Sequence, residues 1–222
     1  MQDISLCKRY SIYVAGLFLL SLGIVLIVRS ALGTTPISSL NYVVSLNTPL
    51  SLGTCTFCLN LFLIIGQFAI LGHHSTRTDV IEILLQIPFS FIFSAFIDAN
   101  MYLTADITPA SYTAALLLLG AGCIVQALGV TLELKPNVSK MSAEAFVHYA
   151  SRRLHRPFSR VKVIFDILLV LAAIIASLSM SGKIEGVREG SVIAALCTGM
   201  LVGLISRHIV TRRMYKRITH LS

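Results

Sequence analysis

Residues 29–54 read RSALGTTPISSLNYVVSLNTPLSLGT, a polar stretch that separates two apolar runs and carries Arg29 as its only ionisable side chain. Thr35 followed by Pro36 is typical of a helix start, because proline fits the first helical position. The helix predicted over residues 37–45 makes about two or three turns, too few to cross a bilayer. Membrane transporters commonly build a binding site from such a helix between two spanning ones. The alternative is a surface loop with an interfacial helix.

The composition indicates a membrane protein. Of the 222 residues, 55% are hydrophobic, a larger share than an ordinary soluble domain contains. Six apolar runs are long enough to span a bilayer at about 20 residues per crossing. They cover residues 10–28, 52–71, 80–99, 110–132, 161–180 and 187–205. We expect one membrane domain over residues 1–222, without a cleavable signal peptide.

The distribution of basic residues predicts the orientation. With the N-terminus inside, all of the 18 Lys and Arg residues except Arg29, Lys183 and Arg188 fall on the inner side of the six-span arrangement. Lys and Arg accumulate in cytoplasmic connections, so both termini should be cytoplasmic, with a basic tail over residues 207–222. The basic clusters would bind anionic lipid headgroups, so the net charge of +8 does not call for nucleic acid. The sequence does not decide whether the protein also binds a protein partner.

An internal repeat relates the two halves of the chain at an offset of 106 residues. The spacing Ala15-Gly16-x5-Leu22-Gly23 recurs as Ala121-Gly122-x5-Leu128-Gly129. These small residues should let the first and fourth helices approach closely. The same offset places the short segment at 36–45 over residues 142–151, and each segment has a capping residue at its start.

The two repeats cover about residues 10–99 and 110–207, and each holds three spans with a short helix after the first. Because three is odd, the second copy must enter the membrane upside-down. We therefore expect an all-α membrane protein of six transmembrane helices in two inverted three-helix repeats, each with a short non-spanning helix. Inverted repeats place a site near mid-membrane and suit alternating access.

Short motifs are spread over most of the chain: RSALGxxP at 29–36, SLGT at 51–54, Asn60, Arg160-x5-Asp166 and Glu189-Gly190-Ser191. In these motifs the chain resembles the YczE/YitT-type family of bacterial integral membrane proteins. The resemblance implies a small protein of the bacterial cytoplasmic (inner) membrane with five or six helices. It carries no assured activity. Val187-Arg188 departs from the glycine-rich form that the family leads us to expect before Glu189.

Five polar residues are candidates for a solute site near mid-membrane: Arg29, Thr34, Thr35, Asn60 and Asp166. Arg29 can snorkel to lipid headgroups, or it can form an anion site with the free amides at the start of the short helix. Asp166 can pair with Lys162 one turn earlier, hydrogen-bond Asn60 or Gln126, or serve as a coupling carboxylate. Asn60 occupies the position that matches Asp166 in the repeat.

Other polar residues give weaker signals. Cys55-x-x-Cys58 has no second ligand pair nearby, and Glu144 and His148 lack a third ligand, so we expect no metal and no cofactor. Asp98 is interpreted as a surface charge, and Glu133 ends the fourth span. The sequence contains no nucleophile elbow, phosphate loop or metalloprotease motif, so we do not expect an enzyme.

The preferred function is a small secondary transporter or solute carrier, and Arg29 would favour an anionic small molecule. One alternative is a non-transporting regulator or scaffold that acts through the basic cytoplasmic surface. Another is the membrane-embedded binding subunit of a multi-component importer. A polar pocket that is reachable from one side would favour the carrier, whereas a closed, dry core would favour the regulator.

Overall fold

The computed structural model describes residues 6–72, 76–136 and 138–183, together with positions 185, 186, 188, 190, 191, 193, 194, 197, 198, 200–202 and 204. Within these residues it forms helices and no strands. The helices are α1 (Leu6–Arg29), α2 (Pro36–Asn47), α3 (Leu52–Leu71), α4 (Arg77–Leu103), α5 (Tyr112–Leu134), α6 (Ser142–Leu154) and α7 (Phe158–Ser181).

Five of these helices are long and apolar enough to cross a membrane, namely α1, α3, α4, α5 and α7. The predicted all-helical membrane class is therefore confirmed, and the predicted short helices correspond to α2 and α6. Most of the sixth predicted span, 187–205, lies outside the described residues, although the described positions from 190 to 204 are helical. The predicted basic tail at 207–222 also lies outside them.

Local capping explains where three of the spanning helices begin. Ser51, Thr76 and Ser111 each accept the N–H of the residue three positions later. Thr76 also forms a full capping box with Asp79. The short helices begin differently. Thr35 and Met141 are their N-cap residues, and neither side chain caps the helix.

The expectation of capping side chains at both short helices is therefore wrong. The Thr35 hydroxyl donates to Ser38 Oγ at 3.0 Å instead of accepting a backbone N–H. Met141 has no polar oxygen that could accept one.

Helices α1 and α5 pack antiparallel at very close range. Gly16 lies against Glu133, Gly23 against Gln126, and Gly129 against Leu20. A methyl group on Gly16 would lie 2.6 Å from the backbone nitrogen of Glu133, so a larger residue would push the helices apart. The predicted close approach of the glycine-bearing helices is thus confirmed, and the last turn of α5 ends near the middle of α1.

Hydrogen bonds and ring contacts fix the directions of the other long helices. Tyr13 packs on Phe89 with ring centroids 4.7 Å apart, and Asn100 donates to Ser21 Oγ at 2.8 Å, so α4 runs parallel to α1. Helix α3 runs antiparallel to α4. The molecule therefore has two ends, which we call the Arg29 face and the Arg77 face after the C-terminal residue of α1 and the first residue of α4.

Each short helix packs mainly on a long helix from the other half of the chain: α2 lies against α7, and α6 lies against α3. Ser142, the first residue of α6, hydrogen-bonds Ser90 at 3.0 Å, and Ser90 is the central residue of α4. Tyr149, further along α6, lies near Asp79 at the start of α4. Helix α6 therefore enters from the Arg77 face and has its N-terminus near mid-bundle.

Candidate functional site

Arg29 binds the end of a neighbouring helix. Its Nη2 donates to the Met101 carbonyl at 2.6 Å, and its Nε lies 3.4 Å from Thr104 Oγ1. These acceptors belong to the C-terminus of α4, where a cation stabilises the negative end of the helix dipole. Among the described residues, no hydrogen bond joins Arg29 to Thr34 or Thr35.

Thr34 and Thr35 are buried where the chain enters α2. The Thr34 N–H donates to Ser191 Oγ at 3.0 Å, and the Thr34 hydroxyl donates to Ser39 Oγ at 3.0 Å. The Thr35 hydroxyl bonds to Ser38. The start of α2 is therefore a buried polar patch whose hydroxyls bond mainly to one another.

Asn60 and Asp166 are not joined by a hydrogen bond in the described part of the chain. Asn60 lies in α3 with 5% of its surface exposed, and its Nδ2 has no partner among the described residues. Asp166 forms an ion pair with Lys162 on α7, and the two side chains are 28% and 26% exposed. The structure thus contains the ion pair that was one of the three alternatives for Asp166.

A cleft of about 850 Å³ opens at the Arg29 face. Its polar lining includes Arg29, Tyr42, Ser45, Ser51, Asp98 and Thr108. A neighbouring cleft of about 610 Å³ shares Tyr42 and is lined also by Glu185 and Arg188. Burial raises the pKa of Tyr42, and the nearby Arg29 guanidinium partly offsets that rise.

Asp98 lines this cleft and is also hydrogen-bonded to the start of α3, so its interpretation as a plain surface charge is wrong. Its carboxylate accepts the Gly53 N–H at 2.8 Å and the Ser51 hydroxyl at 2.7 Å. Both groups belong to the start of α3, where free amides and the helix dipole favour an anion. Sequence reasoning could not detect this contact, because Asp98 and Gly53 lie on different helices.

A second polar region surrounds the N-terminus of α6. Gln67 and Gln86 exchange two amide hydrogen bonds of 2.9 Å each, and Gln67 also donates to the Ser142 carbonyl at 3.1 Å. Ser90 belongs to the same set, because its hydroxyl is hydrogen-bonded to the Ser142 hydroxyl. All four side chains are buried, so α3 and α4 hold the start of α6 through a closed set of neutral bonds.

Glu133 lies beside this set and is only 1% exposed. Its Oε1 has no hydrogen-bond partner among the described residues, and neither has the hydroxyl of Tyr13, which is 0% exposed. The Met141 backbone N–H and the Glu144 carboxyl both face Glu133. Glu144 itself is half-buried; burial raises its pKa, while Lys162 and Lys140 act in the opposite direction.

Sequence reasoning placed Glu133 only at the end of a span. The missed signal is its spacing: Gly122, Gln126, Gly129 and Glu133 follow one another at intervals of four, three and four residues. That spacing puts them on one face of a helix. Because the glycines of this face contact α1, Glu133 had to lie in the same contact.

The described residues contain no group of three or more His, Cys, Asp or Glu side chains that could hold a metal ion. Cys55 is buried and Cys58 is exposed, so the two thiols of that motif occupy different environments.

The model of a family of unknown function, DUF6198, matches residues 7–207. Comparison with curated proteins and with solved structures produced no match.

Proposed function

The chain belongs to this family of unknown function, and from that premise we propose that it is a small solute carrier that works by alternating access. It would lie in the bacterial inner membrane and cross it six times, with both termini in the cytoplasm. Its two halves would be inverted repeats of the YczE/YitT type. The Arg29 face would then be the outer face. The solute class that we propose is a small anion.

The observation that carries the proposal is the polar cleft at the Arg29 face. A regulator or scaffold needs no cavity in its membrane domain, whereas a carrier needs one that is reachable from one side at a time. The cleft of about 850 Å³ is in the size range of small-molecule sites. Near mid-bundle, Gln67, Gln86 and Ser90 are buried beneath α6, which enters from the Arg77 face. The combination fits a carrier that is open towards the Arg29 face.

Contacts between the halves support the inverted repeat. Gly16 contacts Glu133. The offset of 106 residues relates Gly16 to Gly122 and Glu133 to Ile27, and these two residues are also in contact. The pairing of α2 with α7 likewise has its counterpart in α6 with α3. A two-fold relation between the halves would produce such exchanged contacts.

The short helices are the elements that we expect to move. Each one is attached to its own half by the chain and packs on the other half by its side chains. If one half rocks against the other, α2 and α6 would therefore move in opposite directions. Closing α2 over the cleft while α6 withdraws would expose the site to the Arg77 face.

An anionic solute is favoured by the charge of the cleft wall. Arg29 is half-buried there beside Tyr42, and its two acceptors in the described part of the chain, Met101 and Thr104, do not use all of its guanidinium donors. Asp98 is already occupied by the start of α3. A carboxylate or phosphate group could take the remaining Arg29 donors in a bidentate arrangement.

The test is solute flux into proteoliposomes. A panel of labelled small carboxylates, phosphate, sulfate, sugars and cations is offered to the native protein, to Arg29→Ala, to Arg29→Lys and to Arg153→Ala. Arg153 is exposed on α6, away from the cleft, and serves as the control. We expect flux of an anion that Arg29→Ala abolishes, that Arg29→Lys partly restores because the fork geometry is lost, and that Arg153→Ala retains. No flux of any solute through folded protein would favour the regulator or the importer subunit.

A further inference from the structure

Glu133 is an ionisable side chain deep in the bundle, and no described residue supplies a compensating charge. It lies opposite Gly16, near the middle of α1, and is 1% exposed. A charged carboxylate in such a place costs several kcal/mol unless a cation or strong donors stabilise it. Its Oε1 meets no donor among the described residues.

The groups that face Glu133 come from each element around it. Helix α1 contributes the Tyr13 hydroxyl, and the start of α6 contributes the Met141 N–H and the Glu144 carboxyl. Two basic side chains, Lys162 and Lys140, act on Glu144. Arg9 donates to the Pro136 carbonyl, at 2.7 Å from its Nη2. Glu144 is thus the only other carboxyl that acts on Glu133 in the described part of the chain.

Two neighbouring carboxyls in an apolar region cannot both be charged at low cost, and the cheapest solution is to hold a proton. Bound metal cations such as Ca²⁺ take six or more oxygen ligands, which this small cluster does not supply. Among the described residues neither the Tyr13 hydroxyl nor Glu133 Oε1 has a partner, so the two are not bonded to each other as they stand. A side-chain rotation that brings them together would let a protonated Glu133 donate to the Tyr13 oxygen.

We infer that Glu133, with Tyr13 and Glu144, forms a proton-binding site at the N-terminus of α6. The proton is carried on the Glu133 carboxyl, donates to the Tyr13 hydroxyl, and exchanges with water through Glu144, whose lysine neighbours lie towards the Arg77 face. Tyr13 acts as the acceptor and Glu144 as the relay. The transfer moves only a proton between two carboxyls and water, so no other reactant is required.

Proton binding also has a structural consequence for α6. An ionised Glu133 is attracted to the Met141 N–H and to the positive end of the α6 dipole, whereas a neutral Glu133 is attracted much less. The start of α6 is otherwise held by neutral hydrogen bonds to Gln67 and Ser90. The charge of Glu133 therefore decides how firmly α6 is held at mid-bundle.

As the coupling group of a carrier, this site makes the solute move with protons, and that part rests on the proposed function. The proton site itself does not. Infrared absorption by protonated carboxyl groups detects it in purified protein with no solute present, so a failure of transport and a failure of the site are distinguishable.

The experiment compares the protonated-carboxyl absorption of native protein, Glu133→Gln and Glu82→Gln at neutral pH. Glu82 is an exposed glutamate on α4 and is the matched control. We expect a band in the native protein that Glu82→Gln retains and Glu133→Gln loses. Tyr13→Phe removes the acceptor and should shift the band, which keeps the test decisive if Glu133→Gln does not fold.

Three outcomes would overturn the inference. The native protein shows no protonated-carboxyl band at neutral pH; or the band survives in folded Glu133→Gln; or it is unmoved in folded Tyr13→Phe. Replacing potassium by sodium in the buffer provides a further check. Loss of the band on adding sodium would assign the site to a metal cation instead of a proton.

Discussion

At the scale of single residues, three charged side chains in the described helices have an assigned partner, and the partner tells what each one does. Arg29 holds the C-terminus of α4, Asp98 holds the N-terminus of α3, and Asp166 is paired with Lys162. Glu133 has no oppositely charged partner among the described residues, and its Oε1 accepts no hydrogen bond. The contrast is what separates a structural charge from a candidate functional one.

The Lys162–Asp166 pair gives an asymmetric prediction. Lys162 lies nearer the start of α7 and can snorkel when alone, whereas Asp166 lies one turn deeper and cannot. Lys162→Gln should therefore destabilise the protein by roughly 1–3 kcal/mol, Asp166→Asn by less, and the double variant should recover most of the loss. Thermal unfolding in detergent measures all three. If Asp166→Asn stays folded, loses flux and is not rescued by Lys162→Gln, the carboxylate belongs to the mechanism instead.

Glu144 gives a prediction about pH. Burial raises the pKa of this carboxyl in the folded protein, more than Lys162 and Lys140 lower it. Its contribution to stability is therefore complete below the ordinary carboxyl pKa and is lost as pH rises through the folded value. Melting temperatures from acidic to neutral pH should fall less in Glu144→Gln than in the native protein. The exposed Glu82→Gln variant is the control and should follow the native curve. Identical curves for Glu144→Gln and native protein would contradict the argument.

Asp98 tests a contact that sequence reasoning missed. Asp98→Ala removes the acceptor of the Gly53 N–H and the Ser51 hydroxyl, and should cost about 1–2 kcal/mol, as the loss of a helix cap does. Asp98→Asn keeps an amide oxygen and should cost less. Asp106→Ala, which changes an exposed acid in the following loop, should leave the melting temperature unchanged. Equal effects of Asp98→Ala and Asp106→Ala would refute the capping role.

At the scale of the helices, the α1–α5 contact determines how deep in the bundle the end of α5 and the start of α6 lie. Gly129 lies against the backbone of Leu20 so closely that an added methyl has no room, whereas Gly120 on the same helix has no atom within 4 Å of the same position. Gly129→Ala should destabilise the protein by about 1–3 kcal/mol, and Gly120→Ala should not. Unfolding in detergent compares the two. A harmless Gly129→Ala would show that the helices can separate without loss.

The same contact explains what the sequence could and could not predict. Hydrophobic runs and the Thr35-Pro36 pair were enough to predict the order of long and short helices from α1 to α7. The glycine spacing predicted close helix packing, but not that α1 and α5 would be the pair. These patterns did not tell how far along α1 the end of α5 would fall. That depth follows from the three-dimensional register of two helices, and it is what carries Glu133 and the start of α6 into the bundle. Asp98 was missed for the same reason.

At the scale of the whole molecule, orientation and the number of crossings decide whether the cleft can serve uptake. Leu50 is exposed at the Arg29 face and Thr78 is exposed at the Arg77 face, so cysteines at these positions report on the two ends. The five native cysteines are first replaced by serine. In intact cells, a membrane-impermeant maleimide should label Leu50→Cys, and should label Thr78→Cys only after permeabilisation, because the distribution of basic residues predicts a cytoplasmic Arg77 face.

A reporter at the C-terminus completes the topological test. An even number of crossings puts both termini on the same side of the membrane, so a cytoplasmic reporter is expected if the helical positions between 190 and 204 form a sixth span. An external reporter would leave the five helices that are long and apolar enough as the only crossings. It would also deprive the second half of its third span, and an inverted pair of three-helix repeats would then be impossible. If Thr78→Cys instead were labelled in intact cells, the Arg77 face would lie outside, the cleft would open to the cytoplasm, and the predicted orientation would be wrong.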